Sequence, residues 1–197
     1  MEIKIRDTII KNKLIPMDPF IYPMSAIRDE EIFKELMDKH IGNVNIILET
    51  GTHAGLSSLF LSHYSNIIHT FDIRDYKEKY NVWECFGVNN GDNKLNIEFH
   101  LIKNDEEKKE IVENIGKVDF CFVDGHHKNG CDKDFEILRP YCNKFLFHDY
   151  NPEKCTGGDG LYDWMKKFLD SIMKEAKIVD IKSPFVYMEF EDAGILQ

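Results

Sequence analysis

The stretch NIILETGTHAGLSSLF, residues 45–60, decides how the rest of the chain is read. Its apolar run 46–48 stops at Glu49, two glycines, Gly51 and Gly55, follow within one loop, and a helical pattern covers about 54–64. A buried strand that passes through a glycine turn straight into a helix opens a β-α unit. The two glycines permit a tight turn and close approach of a ligand to the backbone, with helix N–H groups directed into the crevice. The spacing excludes two ligand classes. A dinucleotide turn needs G-x-G-x-x-G, whereas Thr52-His53-Ala54 separates only two glycines, and no GK[ST] marks a P-loop. A carboxylate at the strand end also repels pyrophosphate, but it accepts a hydrogen bond from an ammonium group.

Working outward, short apolar runs alternate with helical patterns. Strands are expected at 45–49, 66–73, 95–102, 118–124 and 143–150, with two closing strands around 176–181 and 185–190. Helices are expected at 106–116, 131–141 and 161–173, while the stretch from Asp72 through Trp83 has poor patterning. Strands apolar on both faces and alternating with helices imply a mostly parallel sheet covered on both sides, a doubly wound α/β fold. Ahead of it, PMDPFIYPM (16–24) resists regular structure and reads as an arm or lid. Ser25 is placed to cap a helix over 26–41, striped by Ile27, Ile32, Phe33, Leu36, Met37 and Ile41 and ended by Gly42. The chain thus divides into an N-terminal arm and helix, 1–42, and one α/β domain, 43–197.

Composition narrows the function classes. The 197 residues are 43% hydrophobic, enough for one substantial core, and 25 Lys and Arg against 35 Asp and Glu leave a formal charge of −10. That charge disfavours a nucleic-acid partner, because phosphate-backbone binding is cationic. Five scattered cysteines without a CxxC pair indicate neither a zinc ribbon nor a disulfide framework and suit a reducing cytoplasm. Neither a membrane-spanning run nor a signal-peptide layout is expected.

In doubly wound sheets ligands sit at the carboxyl ends of the strands. Those ends carry Glu49, Asp72, Asn104 with Asp105, Asp124, and His148 with Asp149, so polar groups converge on one rim.

At this rim, Glu49-Thr50-Gly51-Thr52-His53-Ala54-Gly55 resembles the E-x-G-x-x-x-G first motif of class I S-adenosylmethionine-dependent methyltransferases, and Asp72 in TFDI resembles their second-strand acid. FVDGHHKNGCDKDFEIL followed by FLFHDY is similar to the small-molecule O-methyltransferases related to macrolide-sugar and catechol methyltransferases. The likeness covers roughly residues 45–170 and implies a seven-stranded methyltransferase sheet. It further implies that Glu49, Gly51, Thr52, His53 and Gly55 surround the methionine part of the cofactor. Asp72 would hold the ribose, Ile73 would also line the cofactor site, and Asn104 or Asp105 would lie beside the adenine. Asp124 and Asp149 match two strand-end acids that hold a divalent metal, and His127 matches the histidine proposed as general base. One departure stands out: the family usually has an acid or amide beside the second metal acid, where this chain has His148.

The implied chemistry is physically coherent. Methyl transfer from a sulfonium is an in-line displacement, so the protein must align donor and acceptor and remove a proton. Two carboxylates at neighbouring strand ends repel unless a cation joins them. Mg²⁺ suits oxygen ligands, and His148 admits Mn²⁺, Fe²⁺ or Zn²⁺ as well. The implied acceptor is a hydroxyl of a small molecule, a sugar foremost, in a chain free to form homo-oligomers.

Alternatives are a metal hydrolase or hydroxylase built on Asp124, His127, His148 and Asp149, and a non-catalytic cofactor-binding module. A nicotinamide dehydrogenase is disfavoured by the glycine spacing. The turn-rich loop 151–160, with Lys154 and Asp159, is placed to meet substrate. Trp83 and Phe86 are read as core, Arg74 and Asp75 as partners of each other or of solvent. His53 is read as a packing residue of the loop, while His126 is a weaker candidate base than His127. His40, His63, His69 and His100 have no evident chemical company.

Overall fold

The computed structural model describes residues 29–86, 96–125, 130–151 and 161–192. Thirteen elements follow one another: α1 (Glu30–His40), β1 (Val44–Thr50), α2 (Leu56–Leu61), β2 (Ser65–Asp72), α3 (Glu78–Cys85), β3 (Ile97–Leu101), α4 (Asp105–Ile115), β4 (Phe120–Val123), α5 (Cys131–Leu138), β5 (Lys144–Phe147), α6 (Leu161–Ile172), β6 (Ile178–Lys182) and β7 (Phe185–Glu189). The strands form one sheet in the order β3-β2-β1-β4-β5-β7-β6, parallel except for β7, which runs antiparallel to both its neighbours. The seven-stranded, doubly wound sheet expected from the sequence is therefore the fold. No helix among the described residues is long and apolar enough to cross a membrane.

Both faces are buried because the central strands are apolar on both sides, β4 being buried at all four positions. On one face Phe33 of α1 packs on Phe60, Phe122 and Phe185, with ring centroids 4.5, 4.9 and 5.2 Å away, joined by Leu56 and Leu59 of α2 and by Val82 and Trp83 of α3. On the other, Phe135 of α5 meets Phe145, Phe147, Phe168 and Phe190, and Val112 of α4 completes the layer. His40 and Lys39 in the last turn of α1 both reach the Asp180 carboxylate on β6 at 2.7 Å, which ties this helix to the antiparallel edge. His40 thus serves packing, its ring stacked on Tyr187 at 4.1 Å.

Two local outcomes depart from expectation. The helix expected over 54–64 forms only at Leu56–Leu61, because Gly55 takes a left-handed φ of +72°. At its other end Ser62 Oγ and His63 Nδ1 both donate to the Leu59 carbonyl, competing with further helical bonds. Conversely, the unpatterned stretch through Trp83 contains a regular helix, α3. Its pattern was hidden because one of its three buried residues is Lys79, whose ammonium pairs with Asp75 and sits 3.9 Å from the Phe99 ring centroid. The expected cap Ser25 and the arm at 16–24 lie outside the described residues.

Candidate functional site

The chain leaves β1 toward β2 on one side and re-enters the sheet at β4 on the other, so a crevice opens at the carboxyl ends of β1 and β4. Gly51 stands at that point. Its N–H donates to the Phe71 carbonyl at 2.9 Å, its φ is +91°, and a Cβ there would lie 2.1 Å from the Asp124 carbonyl oxygen. Only glycine permits this approach of two backbones. Gly55 is similarly confined under the Trp83 indole, whose N–H donates to the Gly55 carbonyl at 2.8 Å. Trp83 is therefore a support of the glycine loop, and Phe86 packs against the same core.

Glu49 is wholly buried. Its Oε2 accepts from the hydroxyls of Thr70, at 2.6 Å, and Ser58, while Oε1 has no partner. Burial pushes the Glu49 pKa up from its ordinary 4.5 to about 7, against the hydroxyls of Ser57, Ser58 and Thr70, and the Asp124 charge adds to the rise. Thr52 is buried with its hydroxyl 2.6 Å from that of Thr70. The Ser58 and Thr70 contribution escaped the sequence reading, although the β1–β2 register sets Thr70 directly opposite Glu49.

A proton held on Glu49 has a thermodynamic signature. Because its folded pKa lies above the unfolded value, the native state binds the extra proton between about pH 4.5 and pH 7. Stability should fall as pH rises through that window, by on the order of 3 kcal/mol in full. In Glu49→Gln this decline should disappear from urea midpoints measured between pH 4 and pH 8. An unchanged slope would show that Glu49 is not the group responsible.

Asp72 is held from two sides. Its Oδ2 accepts from His53 N at 2.8 Å and its Oδ1 from Arg74 N at 2.9 Å, which fixes the carboxylate plane at the strand end. His53 adopts a left-handed φ of +46°, its ring meets Tyr76 edge-on at 4.6 Å, and burial lowers its pKa. Beyond Asp72, Ile73 is 57% exposed, and Leu101 at the end of β3 is 53% exposed. Asp75 turns away from Arg74 and pairs with Lys77 and Lys79. The Asn104 carboxamide caps α4 by accepting from Glu107 N at 2.9 Å, while Asp105 lies 3.1 Å from Lys108 and 3.7 Å from Lys133. The loop carrying both residues runs alongside Asp72, whose carbonyl accepts from Ile102 N at 2.9 Å.

At the ends of β4 and β5, His148 Nδ1 donates to Asp124 Oδ1 at 2.9 Å and lies 3.4 Å from Asp149 Oδ1. Burial pulls the His148 pKa down, but Asp124, ahead of Asp149 and Asp29, carries it up to about 8. Its Nε2 is buried without a partner. Asp149 is, with His53, one of two non-glycine residues at positive φ among the described residues, and both lie on this rim. The donor atoms of Asp124, His148 and Asp149 all fall within 4.8 Å of one another, an arrangement of two carboxylates and one imidazole that fits a divalent cation. His126, His127, Lys154 and Asp159 lie outside the described residues. His69 and His100, read from sequence as isolated, are in fact adjacent across β2 and β3, at 3.1 Å.

No family model and no curated protein matches this sequence. Solved structures do resemble it. An O-methyltransferase from Bacillus cereus in complex with S-adenosylhomocysteine superposes with a TM-score of 0.63 at 14% identity, covering 97% of this chain and 92% of that one. The N-methyltransferase NodS from Bradyrhizobium japonicum, also with S-adenosylhomocysteine, gives 0.59 at 10% identity, covering 96% and 100%. The MycE methyltransferase of the mycinamycin biosynthetic pathway, with Mg and S-adenosylhomocysteine, gives 0.53 at 14% identity. The match covers 90% of this chain and 51% of MycE. The sheet is thus the Rossmann-like fold of S-adenosylmethionine-dependent methyltransferases.

Proposed function

We propose that this chain is an S-adenosylmethionine-dependent O-methyltransferase acting on a hydroxyl of a small molecule, a sugar or sugar-bearing metabolite foremost. The observation that carries this reading is the convergence around Gly51 of three strand-end carboxylates, Glu49, Asp72 and Asp124, from the adjacent strands β1, β2 and β4. Each has a distinct task. The unpartnered Oε1 of Glu49 would accept from the cofactor's ammonium, directly or through one water, which relieves a buried orphan acceptor. Asp72, preset by two backbone N–H groups, keeps lone pairs for the two ribose hydroxyls. Ile73 would offer apolar surface to the flat base.

In the proposed reaction the acceptor oxygen would bond to the methyl carbon as the carbon–sulfur bond breaks, the bonding pair staying on sulfur so that the sulfonium becomes a neutral thioether. The acceptor's proton would pass to a base, for which His127 is proposed, with Asp124 as the second catalytic residue. A divalent ion held by Asp124, Asp149 and His148 would lower the hydroxyl's pKa and orient it. The sugar preference is supported by the resemblance of FVDGHHKNGCDKDFEIL and FLFHDY to macrolide-sugar methyltransferases. The N-terminal segment that precedes α1 would serve as a lid that excludes water from the sulfonium.

The deciding experiment is calorimetric titration with S-adenosylhomocysteine, with and without Mg²⁺. Micromolar binding is expected, and absence of binding under both conditions would end the methyltransferase reading. In the same titration Asp72→Ala should weaken affinity by about 1–3 kcal/mol through lost charge-assisted hydrogen bonds. Unchanged affinity would remove Asp72 from the ribose site.

A further inference from the structure

We propose that His69, Glu98 and His100 form a second metal site, selective for Zn²⁺ over Mg²⁺, that clamps the edge strand β3 to β2. The β2–β3 register sets His69 directly opposite Glu98, and His100 two residues further along β3 on the same face, opposite Phe71. His69 Nδ1 lies 3.1 Å from His100 Nε2 and 3.3 Å from Glu98 Oε2, and the three donor atoms fall within 4.8 Å of one another. A tetrahedral ion with bonds of about 2.0–2.1 Å separates its ligand atoms by about 3.3 Å, so both measured edges already match.

The donors also have the right chemistry and rigidity. Two imidazoles and one carboxylate suit zinc, whereas Mg²⁺ prefers oxygen throughout. The His100 ring stacks on Phe71 at 4.8 Å and on His69 at 5.3 Å, which holds both imidazoles in place. His69 is buried and Glu98 is exposed, so the cluster has a closed inner side and an outer side where water can complete the coordination. Burial lowers the pKa of both histidines. Neutral imidazoles are the form that binds metal. In the metal-free chain one ring donates an N–H to the other; on metal binding that proton moves to the other nitrogen of the same ring, so that both imidazoles ligate in the neutral form. The cluster, on β2 and β3, is distinct from Asp124, His148 and Asp149, which stand at the ends of β4 and β5 with β1 in between.

The consequence reaches the rim. β2 ends in Asp72 and pairs with Leu101 there, so an ion across β2 and β3 stiffens the strand pair that presents this carboxylate. The proposal itself stands whether or not the chain transfers methyl groups.

The test is calorimetric titration of Zn²⁺ into metal-free wild type, His100→Gln, Glu98→Gln and Asp149→Asn, with circular dichroism to confirm folding. Co²⁺ serves as the optical probe of coordination. Wild type should bind Zn²⁺ and give the strong visible bands of four- or five-coordinate Co²⁺. His100→Gln should lose one equivalent, or weaken it by about tenfold or more, the scale seen when even a ligand's outer partner is removed. Asp149→Asn should retain that equivalent. If His100→Gln does not fold, Glu98→Gln, altered at an exposed side chain, carries the same expectation. No Zn²⁺ binding by wild type, undiminished binding in the His100 and Glu98 variants, or loss of the only equivalent in Asp149→Asn would overturn the proposal.

Discussion

Gly51→Ala should destabilise the protein by roughly 3–5 kcal/mol and abolish binding of S-adenosylhomocysteine. The added methyl would lie 2.1 Å from the Asp124 carbonyl oxygen, 2.6 Å from its carbon and 3.0 Å from the Gly125 Cα, all of them backbone atoms. No side chain can swing away to make room. The opposing backbone is itself pinned, since Asp124 N donates to the Thr50 carbonyl at 3.0 Å and Thr50 is paired with Val123 in the sheet. Relief requires parting β1 from β4 at the crevice, and the φ of +91° adds strain for any L side chain. Urea midpoints and calorimetric titration read the two effects separately. A variant with wild-type stability and affinity would show that the approach of Gly51 to Asp124 is not required.

Lys108→Ala should cost about 3–5 kcal/mol, the scale for removing one partner of a buried ion pair. The Lys108 ammonium, on α4, pairs with Asp134, on α5, and also reaches Asp105 at 3.1 Å. Asp134 is 3% exposed, and burial raises its pKa against the pull of Lys108. Without that ammonium the carboxylate must either remain charged in an apolar setting or hold a proton, so the loss should be larger at pH 8 than at pH 5. Replacing both residues, Lys108→Met with Asp134→Leu, should recover most of the stability, because neither desolvated charge remains. Chemical denaturation of the two variants at both pH values decides the matter. Equal, small losses in single and double variants would mean that the pair adds nothing to the fold. The pair also bears on the site, since Asp134 packs beneath the turn at Gly125 that follows Asp124.

Much of the site was legible because its logic is local. A buried strand must end in something polar, and in a parallel sheet those ends share one rim, so Glu49, Asp72, Asp124, His148 and Asp149 could be named from their positions after apolar runs. The mostly parallel character of the sheet was legible, since alternation of strand and helix favours crossovers with parallel pairing, whereas the strand order was not read from the sequence. The helix α3 was not, because Lys79 fills an apolar position with a charged residue whose cost is offset by Asp75 and the Phe99 ring. The end of α2 was misplaced for a related reason: Ser62 and His63 bond back to one carbonyl, a choice that helical periodicity does not record.

The sequence by itself determined the alternation of strands and helices apart from α3, the glycine turn after β1 and the acids that close the strands, since each depends on neighbours along the chain. Only the tertiary structure decided which side chains meet. It set Thr70 and Ser58 against Glu49, put His148 between Asp124 and Asp149, and joined His69 to Glu98 and His100. The physical reason is register. A shift of one residue between two strands turns every side chain to the other face, and that alignment is chosen by the packing of the whole sheet.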